Sequence, residues 1–331
     1  MTEESDGDTD RDIDGDSDRR KQFAAVAGLV EPGARLAGIR TFPGGLSATM
    51  TILELERPPR SAIRLVVRQV RRPEEPRSSL SIADEFRLLV DLHALGLPTP
   101  TPRLLDDSGT IFDHPYAVFD YVDGSPRVHS SDPAATGRSF ASQLAAVHQV
   151  DGTSAACSRL PRRTDIVGRL LAVPPPHLDA AMHEGFVRHL MATRWPPPEP
   201  DRTTLLHGDF WAGNLLWRDD LIVAVIDWEE ASVGDPLTDV ATTRLDLLWA
   251  FGPRSMAAFT DHYLSLTSLD PTRLPVWDLV AALRPAGAFS GWVADWVDFG
   301  RPDMTAATMR AQHRWFLDQA LRALGLEGPA R

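Results

Sequence analysis

Three oxygen-bearing side chains lie close together in the second half of the sequence, each next to a run of apolar residues. Asp209 stands in the segment LLHGDFWAGNLLW, Asn214 follows five residues later, and Asp227 ends the apolar run LIVAVI. Short apolar runs of this kind are typical of buried strands. The three side chains are therefore predicted to lie at strand ends and in the loop between them, where carboxylate and amide oxygens are held rigidly.

This spacing is the one that phosphoryl transfer from Mg-ATP requires. The first carboxylate, Asp209, would accept or orient the proton of an acceptor hydroxyl. Asn214 and Asp227 would hold the magnesium that neutralises the phosphates, because hard cations prefer oxygen ligands. We therefore expect Asp209 to be the catalytic residue, Asn214 and Asp227 to be the metal ligands, and ATP and Mg²⁺ to be the cofactors.

The sequence pattern differs between the two parts of the surrounding chain. Residues 35–121 contain strand-like runs and one helical pattern, whereas the later residues are mostly helical. We predict an α+β fold with two lobes, a small antiparallel-sheet lobe at residues 23–122 and a larger helical lobe at residues 123–331.

Residues 1–22 are predicted to be a disordered acidic leader, because nine of the first 21 residues are Asp or Glu. The leader also contains the opening of a calcium loop, Asp10, Asp12, Asp14 and Gly15. The twelfth position of that loop is Lys21 instead of a glutamate, which argues against calcium binding.

Composition excludes several classes of protein. The net charge is -12, so a nucleic-acid partner is not expected, since phosphate contacts need clustered basic residues. No apolar run is long enough for a membrane helix, and the single Cys157 leaves no internal disulfide. Lys21 is the only lysine, which excludes a phosphate-binding loop of the GxxxxGK[ST] type. A cytoplasmic protein without membrane partners is expected, and its oligomeric state is left open.

The segments HGDFWAGN and IDWEEASVGDPLTDVA together resemble the aminoglycoside phosphotransferase family, small-molecule kinases that share the protein-kinase fold. The resemblance extends from about Leu36 to the last helices. It implies the same roles for the three residues above, and it implies that Asp239 braces the catalytic loop by hydrogen bonds. His207 is interpreted as a structural residue that anchors this loop.

The same resemblance suggests where a nucleotide would bind. The stretch FDYVDG, with Phe119 and Tyr121, would be the hinge whose backbone meets the adenine. Gly44, Gly45 and Ser47 lie in a turn between two strands and are interpreted as a loop over the phosphates. An ordinary hairpin turn is the alternative.

One residue departs from the family's pattern. Kinases of this fold usually carry a lysine on the third strand, whereas this chain has Arg68 there, with Glu85 of the following helix as its expected partner. Arginine keeps the charge but differs in length and shape. A pseudokinase, which would bind nucleotide or serve as a scaffold without turnover, is therefore the alternative to an enzyme.

The acceptor is predicted to be a small molecule with a hydroxyl group. Only 12 residues separate Asp227 from Asp239, which leaves no room for a long peptide-docking segment. In FSGWVADWVDFG, carboxylates alternate with tryptophans, a combination that suits a cationic antibiotic or amino alcohol through charge pairing and cation–π contact. Asp295 and Asp298 are therefore expected to help bind the acceptor, with core packing as the alternative role of the tryptophans.

Overall fold

The computed structural model describes residues 13–42, 48–57, 60–70, 80–200 and 202–328. The chain divides into two compact units. The first consists of Met1–Arg77, Ser81–His93 and Pro100–Val122, and the second of Ser78–Leu80, Ala94–Thr99 and Asp123–Arg331.

The first unit is built around one five-stranded antiparallel sheet with the strand order β1-β2-β3-β5-β4. Its elements are helix α1 (Ile13–Val30), strands β1 (Arg35–Phe42), β2 (Ala48–Arg57) and β3 (Arg60–Val70), helix α2 (Ile82–Ala94), and strands β4 (Pro102–Asp106) and β5 (Tyr116–Asp120). This architecture confirms the predicted small lobe with an antiparallel sheet.

Helix α1 corrects the prediction for the amino-terminal segment. It begins at Ile13, inside the stretch predicted as a disordered leader of residues 1–22. Phe23, Val26 and Ala27 are buried in the core of the sheet, where the Phe23 ring lies 5.3 Å from that of Phe112. The acidic composition before Phe23 concealed an apolar stripe with helical spacing that begins at this residue.

Helix α2 has the amphipathic pattern that the sequence predicted. Its buried side chains recur at helical spacing, and the Oγ of Ser81 accepts a hydrogen bond from the Asp84 amide at 3.1 Å, which caps the first turn. Gly96 follows the helix with a positive φ of 80°, a conformation that glycine adopts readily.

The second unit is mostly helical. Its strands form two antiparallel pairs, β6 with β9 and β7 with β8. Its elements are α3 (Pro133–Val147), α4 (Arg163–Ala172), α5 (Glu184–Ala192), β6 (Thr204–Leu206), β7 (Leu215–Arg218), β8 (Leu221–Val225), β9 (Ser232–Gly234), α6 (Leu237–Phe251), α7 (Pro253–Thr267), α8 (Leu274–Ala281), α9 (Phe289–Asp298) and α10 (Ala306–Ala323). The predicted larger helical lobe is thereby confirmed.

Helix α6 lies at the centre of this unit, since every residue from Leu237 to Ala250 is buried. Helix α3 packs against α7 at Gly137, where a Cβ atom would stand 2.3 Å from the carbonyl oxygen of Ser255. A larger residue at this position would push the two helices apart. Among the described residues, no helix has the length and apolarity needed to span a membrane.

Candidate active site

The predicted catalytic loop runs from His207 to Asn214, between strands β6 and β7. It turns at Gly208, whose φ is 85°. A Cβ atom at Gly208 would lie 2.2 Å from the carbonyl oxygen of Glu230 and 2.8 Å from a guanidinium nitrogen of Arg163. Both the positive φ and the close approach of this backbone carbonyl therefore require glycine.

Asp239 holds the beginning of this loop. Its carboxylate accepts hydrogen bonds from the amides of His207 at 2.7 Å and Gly208 at 3.1 Å, and His148 Nε2 lies 3.3 Å from it. Burial by itself would raise the pKa of Asp239, but the hydrogen bond from His148 and the nearby charge of Arg163 outweigh burial, so this pKa is lowered. Asp239 is therefore an ionised, buried carboxylate that holds the amides of His207 and Gly208, and its role in catalysis stays a prediction.

The hydrogen bonds of His207 determine its tautomer. The amide of Asp209 donates to Nδ1 at 3.2 Å, so Nδ1 carries no proton. Nε2 therefore carries the proton and donates to the carbonyl oxygen of Ile226 at 3.0 Å. Burial lowers the pKa of this imidazole, which keeps it neutral. These contacts tie the loop to the end of β8. The anchoring role of His207 in catalysis stays a prediction.

Asp209 and Asn214 are in direct contact. The amide nitrogen of Asn214 donates to Oδ2 of Asp209 at 3.0 Å and to the carbonyl oxygen of Asp209 at 2.9 Å. Because both bonds use the nitrogen, the amide oxygen is the atom left to meet a cation. Asn214 therefore orients the predicted base while keeping an oxygen for the predicted metal.

Asp227 follows a residue whose backbone is bonded to that of Asn214. The backbone carbonyl oxygen of Asn214 accepts a hydrogen bond of 2.9 Å from the backbone amide of Ile226, the residue before Asp227. Asp227 is exposed and has a φ of 63°, a left-handed conformation that is uncommon outside glycine. The next side chain, Trp228, is fully buried and its ring lies 4.6 Å from that of His207. This turn points Asp227 away from the core that Trp228 enters.

The chemistry of these oxygens fits a magnesium ion. Mg²⁺ is usually bound by one or two carboxylates together with phosphate oxygens and water, without a dedicated cage of protein ligands. The described residues contain no group of three or more His, Cys, Asp or Glu side chains that could hold a metal ion. One carboxylate from Asp227 and one amide oxygen from Asn214 are in keeping with such an open site.

Sequence reasoning missed Arg284, which lies after helix α8. Its guanidinium group donates to the Asp209 carboxylate and, at 3.2 Å, to that of Asp246 in α6. Burial opposes the charge, but the two carboxylates outweigh it and the pKa of Arg284 is raised. No local spacing could have predicted this contact, since 75 residues separate Arg284 from Asp209.

Helix α6 presents three polar side chains to this region at helical spacing. Asp239 accepts from the loop amides, the hydroxyl of Thr243 donates to the carbonyl oxygen of Phe210 at 2.9 Å, and Asp246 bonds Arg284. Positions separated by four and three residues lie on one helix face. The sequence therefore contained a signal for Thr243 and Asp246 once Asp239 was recognised.

Helix α9 lies beside the catalytic loop. Trp211 of the loop makes edge-to-face contacts with Trp296 at 6.2 Å and with Phe299 at 5.3 Å. Asp295 and Asp298, the predicted acceptor residues, are exposed on this helix. Partial burial and the neighbouring charge of Asp298 raise the pKa of Asp295. The structure does not bring either carboxylate into hydrogen-bonding contact with Asp209, and their role stays a prediction.

The first unit contains the predicted nucleotide residues. Arg68 of β3 and Glu85 of α2 are both buried and form an ion pair, and their part in binding a nucleotide stays a prediction. Phe119 packs on Phe86 at 5.8 Å, and the amide of Tyr121 donates to the carbonyl oxygen of Arg64 at 3.0 Å. Gly44, Gly45 and Ser47, the predicted loop over the phosphates, lie outside the described residues.

Comparison with known proteins gives matches at the levels of sequence and fold. A mouse protein, acyl-CoA dehydrogenase family member 10, is 28% identical over 196 residues, which cover 54% of this chain and only 18% of that protein. The choline kinase of Streptococcus pneumoniae has a TM-score of 0.58 at 16% identity, covering 93% of this chain and 99% of its own.

An amicoumacin kinase, solved in complex with AMP-PNP, Ca²⁺ and Ami, has a TM-score of 0.60 at 12% identity. That match covers 94% of this chain and 96% of the kinase. These likenesses establish a kinase-like fold with two lobes. Residues 38–282, which hold both sequence motifs and the loop described above, match the phosphotransferase enzyme family. The chain therefore belongs to this family of phosphotransferases, as its two motifs predicted.

Proposed function

We propose that this protein transfers the γ-phosphoryl group of Mg-ATP to a hydroxyl group of a small molecule. The observation that carries the proposal is the constellation in the second unit. The side-chain amide nitrogen of Asn214 donates to the carboxylate of Asp209, and the backbone carbonyl oxygen of Asn214 accepts from the amide of Ile226, the residue before Asp227. These bonds join the side chains of Asp209 and Asn214 and hold the backbone directly before Asp227 against that of Asn214, which supports the arrangement that phosphoryl transfer uses.

In this proposal Asp209 is the base. The acceptor's O–H bond breaks as its oxygen forms a bond to the γ-phosphorus, the proton passes to Asp209, and ADP leaves with the electrons of the broken P–O bond. The backbone bonds of His207 and Gly208 to Asp239 would keep the base in position, because small displacements of a catalytic group cost rate.

Asn214 and Asp227 would hold magnesium, which when bound neutralises the charge on the phosphates. The first unit would bind the nucleotide through Arg68, with Glu85 holding the guanidinium group in place. Phe119 and Tyr121 would lie beside the adenine, and the loop containing Gly44, Gly45 and Ser47 would cover the phosphates. The AMP-PNP and Ca²⁺ in the amicoumacin kinase complex support a nucleotide and a divalent cation in this fold.

Consumption of ATP favours the cytoplasm as the compartment of this reaction. Nucleotide binding is assigned to residues 23–122 together with helix α1, and catalysis to residues 123–331. The chain matches only a minor part of the mouse relative, so the activity of that whole protein is not assigned to it.

The second candidate is a pseudokinase, which rests on Arg68 alone. The buried ion pair with Glu85 opposes it, since this is the partnership that a phosphate-gripping cation would have. The two candidates differ in turnover: a nucleotide-binding pseudokinase also predicts Mg-ATP binding, and only the kinase predicts ADP release that depends on an alcohol.

The test is ADP release with Mg-ATP and a panel of small alcohols, measured for the wild type and for Asp209→Asn. Loss of a positioned base should lower kcat by at least about 10²-fold. Asp261→Asn, at an exposed position on helix α7, is the matched control and should retain wild-type turnover. Full activity in a folded Asp209→Asn variant would refute the mechanism, and Mg-ATP binding without turnover on any alcohol would favour the pseudokinase.

A further inference from the structure

Arg284 is the side chain that most directly constrains what can reach Asp209. Its guanidinium group bonds Oδ1 of Asp209 and Oδ2 of Asp246, and its Cζ atom lies 5.7 Å from the centre of the Trp292 ring. The side chains of Arg284 and Asp209 are 26% and 28% exposed, so a small molecule can reach both. An acceptor hydroxyl that meets Asp209 therefore arrives beside this guanidinium.

The guanidinium group retains hydrogen-bonding capacity. One nitrogen donates to Asp209 and the other terminal nitrogen to Asp246, and the remaining N–H groups have no partner among the residues that the structure describes. A guanidinium has donors and no acceptor, and its flat shape matches carboxylate and phosphate oxygens. The free donors beside the base therefore suit an oxygen atom, above all a charged one.

The same geometry disfavours a positive charge on the acceptor. Among the features that would attract a cation to this place are the carboxylates of Asp209 and Asp246 and the ring of Trp292. Arg284 already bonds both carboxylates and lies near the ring. An ammonium group placed there would meet a like charge in a partly buried region, where electrostatic repulsion is stronger than in water.

The acidic neighbours do not cancel this preference. Burial raises the pKa of Asp246 to about 7, and burial also raises the pKa of Glu230. The carboxyl group of Asp246 therefore carries less negative charge at neutral pH than an exposed one would. The surroundings of Arg284 can consequently admit a negative group.

We propose that Arg284 is a specificity-determining residue that binds a carboxylate or phosphate of the acceptor beside the hydroxyl facing Asp209. Preferred acceptors are then alcohols that bear an oxyanion, and not the amino alcohols that the tryptophan- and acid-rich segment suggested. This inference rests on the proposed function and names the substrate class for the same site. Its features, the guanidinium, its two carboxylates and the Trp292 ring, all lie in the second unit.

The test uses four alcohols that share one three-carbon skeleton: 3-amino-1,2-propanediol, glycerol, glycerate and glycerol 3-phosphate. ADP release with Mg-ATP gives kcat/KM for each, and isothermal titration gives the dissociation constant of each in the presence of AMP-PNP and magnesium. We expect glycerate or glycerol 3-phosphate to have a kcat/KM at least 10-fold higher, or a dissociation constant at least 10-fold lower, than the amine. The comparison between these two shows whether the oxyanion is a carboxylate or a phosphate.

The variant Arg284→Gln separates recognition from general damage to the site. It should abolish the preference for the anion over the amine while the KM for ATP changes less than twofold, and Arg284→Lys should restore part of the preference. Arg310→Gln is the matched control, because Arg310 lies 4.8 Å from the Phe289 ring at the start of α9 and is exposed. It should leave the preference unchanged.

Three outcomes overturn the inference: tighter binding or faster turnover of the amine, no preference in the wild type, or a preference that persists in Arg284→Gln. The failure of the proposed function looks different. In that case no alcohol is phosphorylated, although the binding preference for the anion still reports on Arg284.

Discussion

At the scale of single residues, motif spacing predicted the side chains that are held by short local contacts. Asp209 and Asn214 are five residues apart and form a direct hydrogen bond. Their spacing in the sequence was therefore enough to predict that they act together. Arg284 reaches Asp209 across 75 residues of chain, and only the packing of the helices brings the two together. Sequence spacing cannot predict such a contact.

Gly208 shows how a backbone position can decide the geometry of a site. Its φ of 85° costs a residue with a Cβ atom about 1–2 kcal/mol, and the carbonyl oxygen of Glu230 leaves no space for that atom. Gly208→Ala should therefore lower the melting temperature by well over the 2–4 °C expected for about 1 kcal/mol, as measured by calorimetry. It should also reduce turnover, because Asp209 is the next residue.

Gly300→Ala is the control for backbone strain alone. Gly300 has a similar φ of 76°, but its nearest neighbour would stand 3.9 Å from a Cβ atom. Gly300→Ala should therefore lose only the stability that corresponds to the strained backbone conformation. Equal losses of melting temperature in both variants would show that the contact with Glu230 contributes nothing.

At the scale of helices and strands, the strand-like runs and the one helical pattern predicted within residues 35–121 correspond to strands β1, β2, β3 and β5 and to helix α2. Strand β4 (Pro102–Asp106) was missed because it is short and begins with proline, which is uncommon inside a sheet. Helix α1 was missed because the count of acidic residues dominated the interpretation of residues 1–22. Both elements are held by tertiary contacts that composition does not report.

The contribution of helix α1 can be measured with two substitutions. Phe23 is fully buried against the sheet, so Phe23→Ala should lower the free energy of unfolding by about 3–5 kcal/mol. Leu29 lies on the same helix and is 58% exposed, so Leu29→Ala should change it by less than about 0.5 kcal/mol. Chemical denaturation measures both. Equal effects would mean that α1 does not stabilise the sheet through its buried face.

At the scale of the whole molecule, the change from strand-like to helical sequence patterns predicted two units with different secondary structure. Each unit has buried apolar side chains of its own. The division between them is less simple than the sequence indicated. Residues 94–99 lie between two parts of the first unit in the chain and belong to the second unit. Sequence patterns assign neighbouring residues to the same domain. That residues 94–99 belong to the second unit becomes visible only in the three-dimensional structure.

The proposed function also predicts a property of the whole chain, its thermal stability with nucleotide. A ligand that binds only the folded state stabilises it by about 2.7 kcal/mol at 100 times its dissociation constant. Saturating Mg-ATP should therefore raise the melting temperature of the wild type by several degrees, and ATP with EDTA should raise it much less. The absence of any shift with Mg-ATP at millimolar concentration would contradict nucleotide binding itself.

Asp227→Asn tests whether the stabilisation by Mg-ATP depends on the carboxylate of Asp227, the proposed metal ligand. Asparagine tolerates the left-handed backbone at this position, where φ is 63°, and keeps the side chain's shape while removing its charge. Asp219→Asn is matched to it, because Asp219 is also exposed and has a φ of 55° in the turn between β7 and β8. Scanning calorimetry should show a reduced shift with Mg-ATP for Asp227→Asn and a wild-type shift for Asp219→Asn. If both variants keep the full shift, Asp227 does not hold the metal that accompanies ATP.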